Sequence, residues 1–145
     1  MRNWNPLIIS LALGLPLSAA HAAGIPATIY RNPNCGCCNV YAKYLESNGF
    51  DVRLVDSYDM DSINRKYAVP AALEGCHTTI ADGYVFEELI PAKYLKRVLN
   101  EHLPIKGLSL PGMPMGAPGM SGNKQGPLTV YYLGDPAHPQ VFATF

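Results

Sequence analysis

The sequence predicts an α/β protein, a mixed sheet with flanking helices. Apolar spacing along the chain switches between a period of two and a period near 3.6, the signature of strands alternating with helices. A cluster of three cysteines, Cys35, Cys37 and Cys38, falls where the first strand pattern gives way to the first helix pattern. The 145 residues make one domain with a modest core, and 48% apolar content excludes disorder throughout. Eleven Lys and Arg balance eleven Asp and Glu, which argues against a nucleic-acid or other phosphate surface as the main business.

Residues 1–22 read as a secretory signal. Arg2 supplies the positive start, residues 7–17 the apolar run, and Ala20-His21-Ala22 the small-x-small cleavage pattern. Ser10, Gly14 and Pro16 interrupt the run, which is too short for a hydrocarbon core of ~30 Å. Removal after Ala22 is expected to leave an exported, soluble domain over residues 23–145 with no membrane span and all four cysteines.

Residues 27–31 form the first expected strand, followed by Asn32-Pro33-Asn34 and the cysteines. Val40, Tyr41, Tyr44 and Leu45 recur at helical spacing, and Gly49 sits where a C-cap belongs. Residues 51–56 alternate, with Val52 and Leu54 on one face, as a second strand. Asp59 can cap a short helix whose stripe is Met60, Ile63 and Tyr67, which makes Met60 a core residue. Residues 78–81 and 84–87 are joined by Asp82-Gly83, a two-residue hairpin signal. Pro91 opens a helix with Tyr94, Leu95, Val98 and Leu99 on one side. Strand, helix, strand, helix, hairpin, helix is the order of a thioredoxin-like domain, with its first two strands parallel.

The remainder differs in composition. Residues 107–126 are rich in Gly, Pro and Met and are expected to form a loop, neither a regular helix nor a central strand. Residues 128–133 and 140–145 are two apolar β-type runs around Gly134-Asp135-Pro136, a C-terminal hairpin that can extend the sheet.

Cys35 and Cys38 have the Cys-x-x-Cys spacing of thiol oxidoreductases, in which helix N–H groups stabilise a thiolate. Cys37 between them can divert a Cys35–Cys38 disulfide by exchange, so a dedicated redox pair gains little from it. Soft-metal binding does gain, because thiolates favour Cu(I) and a sulfur can bridge two ions. Cys76-His77 adds a sulfur and an imidazole just before a strand, at the position that faces the Cys-x-x-Cys loop in thioredoxin-like folds. Four sulfurs and a nitrogen exceed the needs of one Cu(I) and fit a small thiolate-bridged copper cluster. Zinc suits such a donor set equally, and disulfide chemistry without metal or purely structural disulfides are the plainer alternatives.

Met113, Met115 and Met120 lie on the flexible loop without the periodicity of core positions. Thioethers are soft, neutral ligands suited to Cu(I), and Met113 and Met120 join the expected ligand set. His102 and His138 read as surface or capping groups, and Asp59 and Asp61 as helix-start carboxylates. No acid/base pair, phosphate loop or Ser-His-Asp arrangement is present in the pattern.

The string from Tyr30 to Cys38, with Val69-Pro70, Cys76-His77-Thr78, Gly83-Tyr84 and the Pro-Gly-Met loop, resembles the CopG-like proteins of bacterial copper-resistance operons, which are periplasmic. The resemblance covers nearly all of residues 23–120 and implies a thioredoxin-like fold, copper binding, and redox handling between Cu(I) and Cu(II). It implies Cys35, Cys37, Cys38 and Cys76 as copper thiolates, with His77 and the Met loop as further ligands. Members often carry Gly-His before the helix-opening proline, where this chain has Glu88-Leu89, so a histidine ligand is absent there. They also often carry Gly-Ser-Pro-Gly-Met-Glu, where this chain has Gly116-Ala117-Pro118-Gly119-Met120-Ser121.

The function expected is that of a periplasmic copper-resistance protein that binds copper and shifts its oxidation state, an oxidoreductase toward the metal. Its partners would be copper ions and periplasmic copper-handling or redox proteins. A thiol-disulfide oxidoreductase and a passive Cu(I) carrier are the competing readings.

Overall fold

The computed structural model describes residues 23–145. The signal segment expected over residues 1–22 lies outside the described residues. In chain order the elements are β1 (Ile25–Arg31), α1 (Gly36–Ser47), β2 (Phe50–Asp56), α2 (Met60–Lys66), a 3-10 turn (Ala71–Leu73), β3 (His77–Ala81), β4 (Tyr84–Glu87), α3 (Ala92–Glu101), β5 (Gly107–Ser109), β6 (Thr129–Tyr132) and β7 (Val141–Thr144). The seven strands form one mixed sheet in the order β2-β1-β3-β4-β5-β6-β7. This is the mixed sheet with helices that the alternating periodicity predicts.

Local chemistry sets most element ends as expected. The Asp59 carboxylate accepts from the Ser62 N–H at 2.9 Å and caps α2. Asn48 caps the end of α1, and Gly49 follows with φ +85, a conformation that glycine adopts without a Cβ penalty. Asp82 and Gly83 both have positive φ, so β3 and β4 are joined by the turn whose twist matches paired strands. Pro91 precedes the first residue of α3.

The core lies on one face of the sheet. Ile29, Phe86, Leu108 and Val130 of the strands meet Tyr41 and Leu45 of α1 and Leu95 and Val98 of α3. Each such aliphatic side chain contributes on the order of 1.5–3 kcal/mol by leaving water. Val85 neighbours Phe86 and therefore faces the opposite side, where it meets Val69, Leu73 and Leu133. In α1 the buried positions are Cys38, Tyr41, Ala42 and Leu45, a stripe at i, i+3, i+4 and i+7. Val40 stands off that stripe and is 54% exposed, and Leu54 on the edge strand β2 is 39% exposed, so neither serves the core that its apolar character suggested.

The Gly-rich tail differs from expectation at its start. Gly107–Ser109 form β5, an interior strand parallel to β4 and antiparallel to β6. Glycine is what allows it: a Cβ at Gly107 would collide with the Val85 carbonyl oxygen. Leu108, fully buried, supplies the apolar anchor, and β5 in turn joins the C-terminal hairpin β6–β7 to the sheet. Among the described residues no helix is long and apolar enough to cross a membrane.

Candidate metal centre

The site begins where β1 ends. The Asn32 side chain accepts from the Asn34 N–H and its carbonyl accepts from the Cys35 N–H, both at 2.9 Å, which turns the chain into α1. Cys35 is the N-cap of α1, with extended backbone and no side-chain cap, and its carbonyl accepts from the Cys38 N–H at 3.3 Å. Sheet pairing delivers the distant cysteine. Arg31 of β1 lies opposite His77 of β3, and Cys76, just before β3, accepts from the Asn32 N–H at 3.1 Å.

All four cysteine sulfurs lie within 4.8 Å of one another. Cys35 and Cys38 are joined as a disulfide, and Cys37 and Cys76 are free thiols, both half-buried. Cys76 Sγ lies 2.7 Å from Cys35 Sγ and 3.8 Å from Cys38 Sγ, while Cys37 Sγ lies 3.3 Å from Cys35 Sγ. The methionine loop closes over this group. Met113 Sδ lies 3.4 Å from Cys76 Sγ and 3.6 Å from Cys37 Sγ. Gly119 lets the loop approach α1, since a Cβ there would sit 3.2 Å from the Cys37 carbonyl oxygen.

Behind the sulfurs, His77 is fully buried, with Nδ1 4.0 Å from Cys76 Sγ and its ring 5.1 Å from that of Tyr41. Burial pushes its pKa down to about 4, so the imidazole is neutral and able to act as a ligand. Glu88, also buried, accepts a hydrogen bond from the Cys76 N–H and brings its other oxygen to 3.7 Å from His77 Nδ1. Burial raises its carboxyl to about 7. Gly75 makes room for it, because a Cβ there would overlap the Glu88 carboxylate.

Two solved structures, both titled "Copper resistance protein copG" (Form 1 and Form 2), share this arrangement of chain. Each is 34% identical, and the alignments cover 84% of this chain and 98% of the other, with TM-scores of 0.75 and 0.76. The chain belongs to the CopG family of copper-resistance proteins. Residues 73–120 also match the family model described as "Protein of unknown function, DUF411", the span from the 3-10 turn to Met120 that carries Cys76, His77, Glu88 and Met113. Against curated protein sequences the chain has no match.

In this CopG-family chain the sulfur cluster is able to bind a metal ion, and copper fits its soft donors. Burial, then the Glu88 and Cys37 charges, push the Cys76 thiol up to about 12, so it carries its proton at neutral pH. The structure brings Cys35, Cys37, Cys38, Cys76, His77 and Met113 together. Met120, like Met113, packs against the apolar core, and Met115 is 49% exposed. Met60, expected in the core, is half-buried on the wall of an open cleft of about 360 Å³, with Asn32, Asn34, Cys35, Gly75 and Cys76. The inward position of α2 belongs to Asn64, which accepts from the Thr78 hydroxyl at 3.2 Å. His102 caps α3 in the left-handed region and His138 pairs with Asp135, both exposed and away from the centre.

Glu88 is the residue that sequence reasoning missed. Its signal was available: Glu87 and Glu88 interrupt the apolar run Val85, Phe86, Leu89, Ile90, and carboxylates embedded in a buried run demand a partner.

Proposed function

We propose that this CopG-family protein binds copper in a thiolate-bridged cluster of more than one ion, held by Cys35, Cys37, Cys38 and Cys76, and interconverts Cu(I) and Cu(II). The observation that carries the reading is the convergence of four cysteine sulfurs and the Met113 thioether on one half-buried point. Bridging thiolates hold several soft ions within a small volume, and a neutral thioether adds a donor without adding charge. The Cys35–Cys38 disulfide must first accept two electrons and two protons before all four sulfurs can serve. The domain is thioredoxin-like in this reading, on the order of its elements and the cysteines at the start of α1. Residues 1–22 direct it to the periplasm, where copper-handling and redox proteins supply and withdraw ions and electrons.

The test is metal content per chain after exported expression in copper-supplemented medium, together with an anaerobic Cu(I) titration of the reduced protein. More than one tightly held copper per chain is expected. No retained copper, with all four cysteines in disulfides, would sink the cluster.

The Cys35–Cys38 disulfide, with the Cys76 sulfur 2.7 Å from Cys35, favours a second reading as a thiol-disulfide oxidoreductase. In that case Cys37→Ser leaves insulin-type disulfide reduction intact and Cys35→Ser abolishes it. If the metal cluster operates, reductase activity is negligible and Cys37→Ser sharply weakens copper binding. A passive carrier would bind Cu(I) without any protein-dependent change in its oxidation rate.

A further inference from the structure

The corner behind the thiolates holds two buried donors, His77 and Glu88, beside the Cys76 sulfur. Glu88 is 1% exposed and sits at φ +64, a left-handed conformation that a glutamate adopts only at a cost. One of its oxygens accepts from the Cys76 N–H, and the other, Oε2, is buried with no hydrogen-bond partner. The buried His77 Nε2 is also unpartnered. A buried polar atom left unpaired is destabilising, more so where it is charged, so the fold sustains this corner against its own stability.

Sulfur, nitrogen and oxygen converge here. Cys76 Sγ, His77 Nδ1 and a Glu88 carboxylate oxygen all lie within 4.8 Å of one another, with Nδ1 to Oε2 at 3.7 Å and Nδ1 to Sγ at 4.0 Å. Donors bound tetrahedrally at ~2.0–2.3 Å are separated by about 3.3–3.6 Å, so the two edges at His77 need to contract by only a few tenths of an ångström, and a turn of the Glu88 carboxylate toward Cys76 closes the third. The distinction from the thiolate cluster is chemical. An imidazole and a carboxylate are harder donors than thiolate and select divalent ions over Cu(I).

We propose that Cys76, His77 and Glu88 form a distinct three-donor site for a borderline divalent cation of the Zn(II) or Cu(II) type, joined to the thiolate cluster only through Cys76. It rests on the copper reading for that shared bridge alone, since the three donors are complete without Cys35, Cys37 or Cys38. Occupied by Zn(II), the corner would withhold Cys76 from copper. Occupied by Cu(II), it would hold the oxidised ion next to the thiolates that favour the reduced one.

Co(II), an optical stand-in for Zn(II), tests the site in the full chain, reduced and kept anaerobic. The triple variant Cys35→Ser, Cys37→Ser, Cys38→Ser removes the thiolate cluster. It should still bind one Co(II) with a thiolate charge-transfer band, and Zn(II) should displace it. Adding Glu88→Gln should weaken that binding by at least about tenfold, the cost of losing even an outer partner of a metal site. Unchanged Co(II) affinity on adding Glu88→Gln, or no Co(II) bound by a triple variant with native near-UV circular dichroism, would overturn the proposal. Should the triple variant not fold, Glu88→Gln alone is decisive. Lower Co(II) affinity with wild-type Cu(I) stoichiometry supports the site, and unchanged Co(II) affinity refutes it. Failure of the native chain to bind Cu(I) would sink the cluster reading and leave the Co(II) result standing.

Discussion

Cys76 Sγ lies 2.7 Å from Cys35 Sγ although 41 residues separate them in the chain. Antiparallel pairing of β1 with β3 sets the approach, because Arg31 opposite His77 leaves the residues just beyond each strand facing one another. Cys76 therefore belongs to the same centre as the three cysteines at the start of α1. Cys76→Ser should lower the anaerobic Cu(I) stoichiometry of the reduced chain, with the fold retained because Cys76 is half-buried and lies outside the strand. Wild-type stoichiometry in this variant would place copper elsewhere.

The two loop methionines assigned as ligands should separate by mutation. Both pack on the apolar core, but Met113 also touches two cysteine sulfurs. Leucine conserves volume and removes the sulfur, so the packing loss in either variant should stay below about 1.5 kcal/mol. Met113→Leu should weaken Cu(I) binding, by about tenfold if loss of the ligand resembles loss of a metal site's supporting partner. Met120→Leu should leave it unchanged. Competition against a chromogenic Cu(I) chelator reads both, and equal affinities in the two variants would refute the distinction.

Metal uptake should release protons. Burial and neighbouring negative charge push the Cys76 thiol up to about 12, so at pH 7 the metal-free protein carries a thiol there. Binding as thiolate expels that proton, and apparent affinity rises about tenfold per pH unit for each proton released. A weakly buffered anaerobic Cu(I) titration of the reduced chain should acidify the solution, and Cys76→Ser should release at least one proton fewer. Equal release from the two proteins would remove Cys76 from the ligand set.

Glu87, buried on β4 opposite Thr78, should make the metal-free protein less stable as pH rises. Desolvation raises its carboxyl to about 8, against an ordinary value of 4.5. Between those values the folded chain keeps a proton that the unfolded chain has released. Its contribution to stability is therefore fully present below about pH 4.5, falls as pH climbs, and is lost above about pH 8. Glu87→Gln removes this penalty, while His77 and Glu88 titrate in both proteins and largely cancel. The melting temperature of the variant relative to wild type should increase steadily from pH 4.5 to pH 8. A constant difference across that range would show that Glu87 is ionised in both states.

Local signals were enough for most elements. Asp59 as a cap, Asp82-Gly83 as a hairpin turn, Gly49 after α1 and Pro91 before α3 each act through their own backbone or the next few residues, so the sequence pattern carries them. β5 was illegible for the opposite reason. Gly107 looks like a strand breaker until Val85 is known to run beside it, and then it is the residue that fits. Met60 misled in the same way, because a helical stripe shows which residues share a face but not what that face meets. In α2 the inward place is filled by Asn64 bonding to Thr78.

The sequence by itself determined the class of chemistry. Three cysteines in four positions, with Cys76-His77 and a methionine loop, specify soft donors wherever the chain folds, because ligand softness belongs to the side chain. It also determined the alternation of strand and helix, since periodicity is local. Only the tertiary structure decided which donors meet. Sheet register carried Cys76 to Cys35, loop packing set Met113 against two of the cysteine sulfurs, and burial beside Gly75 turned Glu88 from an acidic residue in an apolar run into an unpaired oxygen next to His77. Those outcomes depend on distances between segments far apart in the chain, and only the packed sheet sets those distances.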